Sequence, residues 1–506
     1  MQLRPRAGRE RLPRNAKRMA AAAKPTGPLV GKETAVEDVH FGTDGWRAII
    51  GEGFTEGNLV RTAEAAAKVF KEDALAAGRT ADNLGTIIVG HDCRMDAHRF
   101  AALTAEVVAS EGFTVLLTSE YCPTPTLCWS VAHNPEAVGG IMLTSSHNPA
   151  EYLGVKLRMA DGGASPKEFT DRVEALLPEK PTQARGNFAE TDLMTPYLEA
   201  LTELVDVEAI RKAGLRVVID PLFGAGRLYL AQLLRSMNVE VVEIHNAADP
   251  TFEGLHPEPV PPWVDEGLAK VRELDYDALF INDGDADRIG GGDSQGNFVN
   301  PHRIITLITE HMVRDRGETG RVVSTVTASA MLDRMCRRLG LELVSTPVGF
   351  KWIYGEMVKG GVLLGGEESG GIGLPGHVKE RDGLLMALLL TEMMAQKGKD
   401  LGQLVADMLA EVGALEFARR GVALTPEGIE HFKADIMPSY EAEVFGGKKV
   451  LGYDRRDGVK LLLEDDAWVM MRPSGTEPLV RVYAEAETID EVNALLDAAE
   501  AVVKGE

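Results

Sequence analysis

A serine beside a histidine follows a short apolar run in the first third of the chain. The run is 140–143, and residues 144–149 after it read TSSHNP. Asn148 and Pro149 disfavour both strand and helix, so the pattern predicts an exposed loop at the end of a strand. A serine that attacks or carries a phosphoryl group needs such exposure beside a basic group. Ser146 is therefore a candidate catalytic residue. His147 is a second one, for which support of the loop is favoured over proton transfer.

Three aspartates at alternate positions follow a second apolar run, 278–281. Residues 283–288 read DGDADR, and the glycine permits the tight turn that brings three carboxylates onto one cation. Oxygen ligands favour Mg²⁺ or Ca²⁺ over softer metals. A solvated acidic turn is the competing interpretation, and it is disfavoured because three acids on one loop repel one another without a cation. We predict a metal site formed by Asp283, Asp285 and Asp287, with Arg288 contacting a phosphate on that metal.

Two further loops carry groups that suit a sugar. Residues 365–371 read GGEESGG after an apolar strand, and carboxylates accept hydrogen bonds from neighbouring hydroxyls. An ordinary glycine-rich loop with a helix-capping serine explains this segment equally well. A strand-exit turn explains the second segment, 346–352 (TPVGFKW), almost as well. The candidate sugar-binding residues on and after these loops are Gly349, Lys351, Glu367, Ser369, Lys379 and Arg381.

A phosphate cradle is predicted near the end of the chain. Residues 472–478 read RPSGTEP between two apolar segments. An arginine, two hydroxyls and backbone N–H groups around a glycine bind phosphate oxygens. A plain hairpin turn, the competing interpretation, does not need these residue types together. The candidate phosphate ligands are Arg472, Ser474, Gly475 and Thr476, and Arg481 adds a second cation.

Charged residues also lie at or near turns elsewhere in the amino-terminal third, where the first such segment, taken alone, is a turn with a buried tryptophan. Arg47 ends the segment 41–47 (FGTDGWR), whose glycines hold a turn, and Lys156 follows the serine loop by ten residues. Asp92 and Arg94 follow another strand end and are predicted to form a supporting ion pair.

Short strands alternate with helices through most of the chain, which predicts parallel α/β units. The predicted strands are 84–90, 114–117, 141–144, 215–220, 239–244, 278–282, 321–325, 341–345 and 362–365, and the predicted helices are 101–111, 229–237 and 328–339. After about residue 418 two antiparallel strands, 467–472 and 479–487, precede a helix over 489–503. Because loops at the carboxyl ends of parallel strands bind ligands, three related blocks can face one cleft.

The predicted fold class is therefore α/β, with three related α/β domains of mixed or parallel sheets and a smaller C-terminal α+β domain around a central cleft. The first 18 residues contain seven basic residues and one acid, without the apolar stretch of a secretory signal. A disordered tail, or an overextended start with Met19 as the true beginning, is favoured over a transit peptide. The predicted segments are a disordered basic tail over 1–37 and domains over 38–192, 193–300, 301–417 and 418–506, which carry the serine, metal, sugar and phosphate loops in that order.

Composition excludes several classes of partner. The chain has 506 residues and a net charge of −23, which argues against nucleic-acid and membrane-surface binding. No run approaches the roughly 18 apolar residues of a membrane span. The four cysteines lack zinc spacing and indicate reduced thiols of a cytoplasmic protein. A phosphorylated substrate then needs a locally basic site, and the expected assembly is a monomer or a homodimer.

Together these loops resemble the α-D-phosphohexomutase family, which includes phosphoglucomutase and phosphomannomutase. Four motif sets occur in the family's order, namely FGTDGWR with TSSHNP, then DGDADR, then GEESG, then RPSGTEP. The resemblance covers about residues 40–485 and implies four domains around a central cleft, which agrees with the pattern of strands and helices.

The resemblance also implies roles for the candidate residues. Ser146 matches the family's phosphoserine, and Asp283, Asp285 and Asp287 match its Mg²⁺ ligands, with the serine phosphate as a further ligand. Glu367 and Ser369 match its sugar-contacting pair. Arg472, Ser474, Gly475 and Thr476 match its distal phosphate site, and Arg47 and Lys156 match basic residues near the nucleophile.

The implied reaction interconverts hexose 1-phosphate and hexose 6-phosphate through a phosphoserine and a hexose 1,6-bisphosphate, which also acts as activator. Lys156 is a candidate general base if neighbouring cations depress its pKa. Ser145 stands where the family often has alanine, and Gly371 stands where phosphomannomutases and phosphoglucosamine mutases commonly have histidine. With Glu368, these departures favour glucose phosphate, with side activity on mannose phosphate.

Three alternatives stay open from the sequence. Phosphoglucosamine mutase activity is the first. The second is a phosphatase or kinase using the aspartate loop, although residues 283–287 lack the threonine of a D-x-D-x-T phosphatase. The third is a non-catalytic sugar-phosphate-binding protein, although none of the catalytic residues is lost.

Overall fold

A computed structural model of the chain describes residues 39–42, 44–474 and 479–505. The predicted basic tail over 1–37 and the phosphate-loop residues Gly475 and Thr476 lie outside these ranges, so what was expected of them stays a prediction. The described residues form four sheets, of six, five, four and six strands. The domains built on these sheets are numbered 1 to 4 along the chain.

Domain 1 has a mixed sheet with helices packed against it. Its strands are β1 (Trp46–Ile49), β2 (Thr86–His91), β3 (Thr114–Thr118), β4 (Ala137–Leu143), β5 (Tyr152–Met159) and β6 (Ala189–Thr191), and its helices are α1 (Glu56–Ala76), α2 (Ala97–Ser110), α3 (Thr124–Ala132) and α4 (Lys167–Ala175). The order is β1-β5-β4-β2-β3-β6. Strands β4, β2, β3 and β6 are parallel to one another. Strand β5 pairs antiparallel with β4, and β1 pairs antiparallel with β5 at the edge of the sheet.

Domain 2 has five strands in the order β11-β10-β9-β7-β8. Its elements are α5 (Met194–Glu203), α6 (Val207–Ala213), β7 (Arg216–Asp220), α7 (Tyr229–Ser236), β8 (Glu240–Glu243), α8 (Asp265–Leu274), β9 (Ala278–Asn282), β10 (Ile289–Gly292) and β11 (Phe298–Val299), with a 3₁₀ turn at Phe252–Gly254. Strands β7, β8 and β9 are parallel, and β10 returns antiparallel after the aspartate loop.

Domain 3 has four strands in the order β13-β12-β14-β15, of which the first three are parallel. Its elements are α9 (Pro301–Arg314), β12 (Arg321–Thr325), α10 (Ala330–Leu339), β13 (Leu343–Thr346), α11 (Phe350–Val358), β14 (Val362–Gly366), β15 (Ile372–Gly373), α12 (Gly383–Lys397) and α13 (Leu401–Val412).

Domain 4 is an antiparallel sheet in the order β16-β21-β20-β19-β18-β17, with one long helix packed against it. Its elements are β16 (Glu416–Ala423), α14 (Pro426–His431), β17 (Val444–Phe445), β18 (Lys448–Asp454), β19 (Val459–Leu463), β20 (Trp468–Pro473), β21 (Leu479–Ala486) and α15 (Ile489–Lys504), with a π-helical turn at Phe432–Ile436 and a 3₁₀ turn at Glu464–Asp466. Thr488 begins α15 with a capping box that includes Glu491.

Burial explains the sequence pattern of the central elements. All six residues of β2 are buried, as expected for a parallel strand covered by helices on both faces. Helix α12 is apolar around most of its surface and packs against α6, α9 and α13, so it forms a core element between domains 2 and 3. None of the helices in the described ranges combines the length and the apolar content needed to cross a membrane.

The predicted fold class is confirmed, and two strands, β9 and β12, have the predicted bounds. Helix α2 begins at Ala97 rather than Ala101, because its first turn exposes the polar residues His98 and Arg99, which mask the apolar period. The pattern did not predict β5, which pairs antiparallel with β4 of the parallel core, or β1, which pairs antiparallel with β5.

Asp382 connects α5 to the start of α12. Its side chain accepts hydrogen bonds from the amide of Leu385 at 2.9 Å, from the hydroxyl of Tyr197 at 2.8 Å and from Nε2 of His377 at 3.1 Å. The residue is completely buried. Each donor therefore matters, because a buried carboxylate oxygen without a partner is costly.

We expect Tyr197→Phe to lower the free energy of unfolding by about 1–3 kcal/mol, because the buried carboxylate loses one donor. Tyr440→Phe is the matched control, since this ring is half-buried and its hydroxyl has no hydrogen-bond partner in the described ranges. Urea denaturation followed by circular dichroism measures both variants. Equal midpoints for the two would show that Asp382 does not depend on Tyr197.

Candidate active site

Ser146 lies in the loop between β4 and β5 and faces domain 2. Its φ of +50° is left-handed, which is uncommon for a residue other than glycine. Its N–H donates to Oγ1 of Thr144 at 2.9 Å, and its Oγ donates to Oδ2 of Asp283 at 2.8 Å. The residue is only 1% exposed. The prediction of an exposed serine is therefore wrong, because the metal loop of domain 2, residues 283–288, packs over it.

Arg94 holds the backbone of the serine loop. Its guanidinium donates to the carbonyl oxygens of Ser146, Asn148 and Pro149, each at 2.6 Å, and of Tyr152 at 3.0 Å. Oδ2 of Asp92 lies 3.2 Å from Nε of Arg94, which confirms the predicted ion pair. The sequence predicted the ion pair but not the hydrogen bonds from Arg94 to the serine loop. Those hydrogen bonds form because β2 and β4 are neighbours in the sheet.

Asp283, Asp285 and Asp287 converge, as the sequence predicted. One carboxylate oxygen of each lies within 4.8 Å of the others, and all three residues are fully buried. Gly284 permits the approach to the serine loop, because a Cβ there would lie 2.4 Å from the carbonyl oxygen of Ser146. The nucleophile candidate and the acidic triad therefore meet through backbone contact.

The triad fits a divalent cation. Oδ1 of Asp285 and Oδ1 of Asp287 are buried and accept no hydrogen bond from the described residues, whereas buried polar atoms normally have partners. Burial, together with the carboxylates of Asp287 and Asp285, raises the pKa of Asp283 well above its ordinary value. Convergent carboxylate oxygens with unused lone pairs are the donor set that Mg²⁺ binds.

Lys156 supplies positive charge to the triad. Its Nζ lies 2.7 Å from Asp285, 2.9 Å from Asp287 and 3.0 Å from Asp44. Burial lowers the pKa of Lys156, but these three carboxylates outweigh it and raise the pKa above the ordinary value of a lysine. The condition on which Lys156 was a candidate general base, a depressed pKa, is therefore not met.

Arg381 reaches the same cluster from domain 3. Its Nη2 lies 2.8 Å from Asp287 and 2.5 Å from Asp44. A Cβ at Gly371 would lie 2.2 Å from Cδ of Arg381, so this path of the side chain requires glycine at position 371. On domain 2, Nε of Arg288 lies 3.7 Å from Asp283. Cations from three domains thus surround one acidic loop.

Glu367 is tied to the neighbouring sugar-loop candidates. Its Oε1 accepts from the backbone N–H of Gly349 at 3.0 Å, and Nη1 of Arg381 lies 3.7 Å from its Oε2. Burial raises the pKa of Glu367 to about 7. Glu368 points elsewhere, because its carboxylate accepts from Thr327 at 2.7 Å.

The remaining predicted sugar ligands lie around this pair. Ser369 is partly exposed. Lys351 is also partly exposed, and its Nζ lies 5.5 Å from the ring centroid of Trp352. Lys379 pairs with Asp161 of domain 1 at 2.8 Å.

His147 and Arg47 flank the serine. Nδ1 of His147 lies 3.5 Å from Oγ of Ser146, which is too long for a strong hydrogen bond. Burial, with the guanidinium groups of Arg288 and Arg47, holds the pKa of His147 well below its ordinary value. Arg47 donates to Oδ1 of Asn148 at 2.9 Å. A neutral histidine among cations fits the support of an anion-binding loop better than acid catalysis.

Arg472 of domain 4 is linked to domain 3 through Asp457. Oδ2 of Asp457 accepts from Nε of Arg472 at 2.8 Å and from the backbone N–H of Val348 at 2.9 Å. Ser474 is buried, and Arg481 lies opposite Arg472 in the register of β20 and β21. Three of the predicted phosphate ligands, Arg472, Ser474 and Arg481, therefore lie at or next to the paired ends of β20 and β21.

Two acidic partners at the site, Asp44 and Glu258, were not predicted from the sequence. Asp44 pairs with Lys156, Arg381 and Arg158, and its place in the motif 41–47 was the available signal. Glu258 pairs with Arg419 of domain 4 and lies 3.9 Å from Arg288. Its proline-rich surroundings, HPEPVPP over 256–262, gave no signal of this contact.

Comparison with known proteins agrees with this geometry. Family models of phosphoglucomutase/phosphomannomutase match in order, with alpha/beta/alpha domain I over 38–184, domain II over 195–296, domain III over 300–412 and the C-terminal domain over 430–502. A phosphoglucomutase/phosphomannomutase of Thermococcus kodakarensis is 32% identical over 90% of this chain and 96% of its own length. A probable phosphoglucosamine mutase of Methanopyrus kandleri is 30% identical over the same shares, 90% and 96%.

A solved structure supports the same assignment. The crystal structure of a putative phosphomannomutase from Thermus thermophilus superposes with a TM-score of 0.83 at 37% identity, over 93% of this chain and 100% of that one. The family models cover most of the chain, and the acidic triad and the serine loop lie within domains I and II of those models. The chain therefore belongs to the phosphoglucomutase/phosphomannomutase family of hexose-phosphate mutases.

Proposed function

We propose that the protein is a phosphoglucomutase with side activity on mannose phosphate, and that Ser146 carries the phosphoryl group. The observation that carries the proposal is the placement of Oγ of Ser146, 2.8 Å from Asp283 in a buried acidic triad. A hydroxyl at this position, inside a shell of arginine and lysine side chains, suits phosphoryl transfer, which depends mainly on positioning and charge stabilisation.

Each side chain then has a defined task. Asp283, Asp285 and Asp287, with the serine phosphate, would hold Mg²⁺, which would supply positive charge to the phosphoryl oxygens. Arg47, Lys156 and Arg288 stabilise the same charge from the protein side. Arg94 fixes the backbone that presents Ser146.

Domain 3 holds the sugar of the substrate, and domain 4 holds the distal phosphate. Glu367 and Ser369 accept from and donate to sugar hydroxyls, with Gly349, Lys351, Lys379 and Arg381 around them. The phosphate that is not being transferred binds to Arg472, Ser474, Gly475, Thr476 and Arg481. A charged ligand is thus held at both ends.

The proposed reaction consists of two phosphoryl transfers, one from Ser146 to the sugar and one from the sugar back to Ser146. The phosphorus–oxygen bond to Ser146 breaks as a bond forms to the free hydroxyl of hexose 1- or 6-phosphate, and the hydroxyl proton ends on Oγ of Ser146. The product is a hexose 1,6-bisphosphate, which turns over in the cleft. Its other phosphoryl group then returns to Ser146, and the released oxygen takes back a proton.

The sugar-loop sequence supports glucose phosphate as the preferred substrate. Gly371 replaces the histidine that is common in phosphomannomutases and phosphoglucosamine mutases, and Arg381 fills the space where a Cβ would stand. The competing proposal is a phosphoglucosamine mutase, because the Methanopyrus kandleri relative, described as probable, bears that name.

The sugar preference is tested by measuring kcat/KM for glucose 1-phosphate, mannose 1-phosphate and glucosamine 1-phosphate on one preparation primed with the matching bisphosphates. We expect kcat/KM to be highest for glucose 1-phosphate, lower for mannose 1-phosphate and lowest for glucosamine 1-phosphate. The reason is that the sugar loop has Gly371 where phosphomannomutases and phosphoglucosamine mutases commonly have histidine. A higher value for glucosamine 1-phosphate would replace this assignment with the competing one.

Alanine substitutions of the two adjacent serines test whether Ser146 carries the phosphoryl group. We expect Ser146→Ala to lower kcat at least about 1,000-fold, since no other group takes up the phosphoryl group. Ser145→Ala is the matched control and should stay within about threefold, because Oγ of Ser145 is buried without a hydrogen-bond partner among the described residues. Mass spectrometry should find a phosphoryl group on the peptide with Ser146, in the wild type and in Ser145→Ala. Full activity in Ser146→Ala would contradict the mechanism.

Metal dependence is tested by chelation and by Asp285→Asn. Activity should be lost in EDTA and return with Mg²⁺, and the variant should need at least tenfold more Mg²⁺ for half-maximal activity, because it loses one anionic ligand. Asp275→Asn is the matched control, since this exposed residue of domain 2 has a left-handed backbone that asparagine also tolerates. An unchanged Mg²⁺ requirement in Asp285→Asn would exclude the triad as the metal site.

A further inference from the structure

A cavity of about 390 Å³ lies between domains 3 and 4. Domain 3 contributes the end of β12, the start of α10 and β13, and domain 4 contributes β18, β19 and β20. None of the residues that line it belongs to the serine, metal, sugar or phosphate loops. Its volume lies within the range of small-molecule sites, about 300–1,000 Å³.

Lys460 is the basic residue of the lining. Its Nζ donates to the carbonyl oxygen of Val326 at 2.7 Å and lies 3.9 Å from the centroid of the Trp468 ring. Burial lowers the pKa of Lys460 to about 8. The ammonium has three donors, and within the described ranges it makes one hydrogen bond and no ion pair.

The acidic residues near Lys460 have other partners. Glu485 is buried and accepts from Nε1 of Trp468 at 2.9 Å and from the amide of Ala330 at 2.8 Å. The remaining acids each form an ion pair with an arginine, namely Asp333 with Arg337, Asp454 with Arg456 and Asp466 with Arg334. Glu485 and Asp454 favour the charged form of Lys460 from a distance, but within the described ranges no carboxylate lies within ion-pair distance of its Nζ, which leaves donors for an anion that enters the cavity.

The rest of the cavity is largely apolar. Trp468, Leu343 and Leu463 form part of its wall. Leu451 and Leu462 also line it, and they are 64% and 42% exposed. Large apolar side chains exposed beside a cavity are typical of ligand-binding surfaces.

We propose that this cavity binds a small amphipathic carboxylate, with the carboxylate on Lys460 and the apolar body between Trp468 and the leucines. Because the walls come from both domains, the ligand holds domain 4 against domain 3. Binding at this place does not depend on the proposed mutase activity, so the two proposals fail separately.

Benzoate and octanoate are the probes, titrated into the full-length protein with ¹⁵N-labelled tryptophan. The chain has five tryptophans, and the indole resonance missing from Trp468→Phe identifies Trp468. We expect saturable shifts of that resonance by at least one of the two carboxylates. Benzyl alcohol and octanol, which lack the charge, should bind at least tenfold more weakly. Calorimetry provides the dissociation constants.

Two variants test the site. Lys460→Met keeps most of the side-chain volume, removes the charge, and should weaken carboxylate binding at least tenfold. Lys433→Met is its matched control on the exposed surface of domain 4, where Lys433 pairs with Glu430, and it should bind as the wild type does. Leu451→Glu changes an exposed residue, leaves the fold intact, and should weaken binding by repulsion at the mouth.

Three results would overturn the proposal. The first is no shift of the Trp468 resonance with either carboxylate at about 10 mM, a concentration that would nearly saturate a site of millimolar affinity. The second is equal affinity of the alcohols and the carboxylates. The third is wild-type affinity in both Lys460→Met and Leu451→Glu.

Discussion

Three carboxylates within 4.8 Å of one another repel, and their repulsion grows when they are buried away from water. The loop that carries them is stable only where positive charge is brought to it. Lys156 comes from domain 1 and Arg381 from domain 3, while Arg288 lies on the loop itself. The electrostatic balance of one short loop therefore requires three domains to meet around it.

Glycines allow the close contacts that bring the acidic loop and its cations together. Gly284 touches the carbonyl of Ser146, Gly371 makes room for Arg381, and a Cβ at Gly383 would lie 2.3 Å from the carbonyl oxygen of Arg288. These glycines occur in or beside motifs that carry chemistry. Gly284 and Gly383 allow close approach between domains, and Gly371 leaves space within domain 3 for Arg381, so a larger residue at any of them would displace the acidic loop or one of its cations.

The sequence predicted the fold class, many of the strands and helices, and the convergence of Asp283, Asp285 and Asp287, because apolar periodicity and residue type are local properties. It did not predict the burial of Ser146, since that burial comes from a loop more than one hundred residues later in the chain. The sequence also did not predict that the pKa of Lys156 is raised, because three carboxylates from two domains cause that shift. The pairing of Glu258 with Arg419 is another contact that only the assembled domains create.

One carboxylate oxygen of Asp457 accepts from both Arg472 and the amide of Val348, and the next amide along the chain, of Gly349, donates to Glu367. A short relay of hydrogen bonds therefore runs from the arginine of domain 4 to a buried acid of domain 3. Arg472 and Glu367 are thus linked through two consecutive backbone amides, those of Val348 and Gly349. Under the proposed assignment of these residues, substitutions in the last domain should alter discrimination between sugars as well as affinity for phosphate, without any residue of that domain touching the sugar ring.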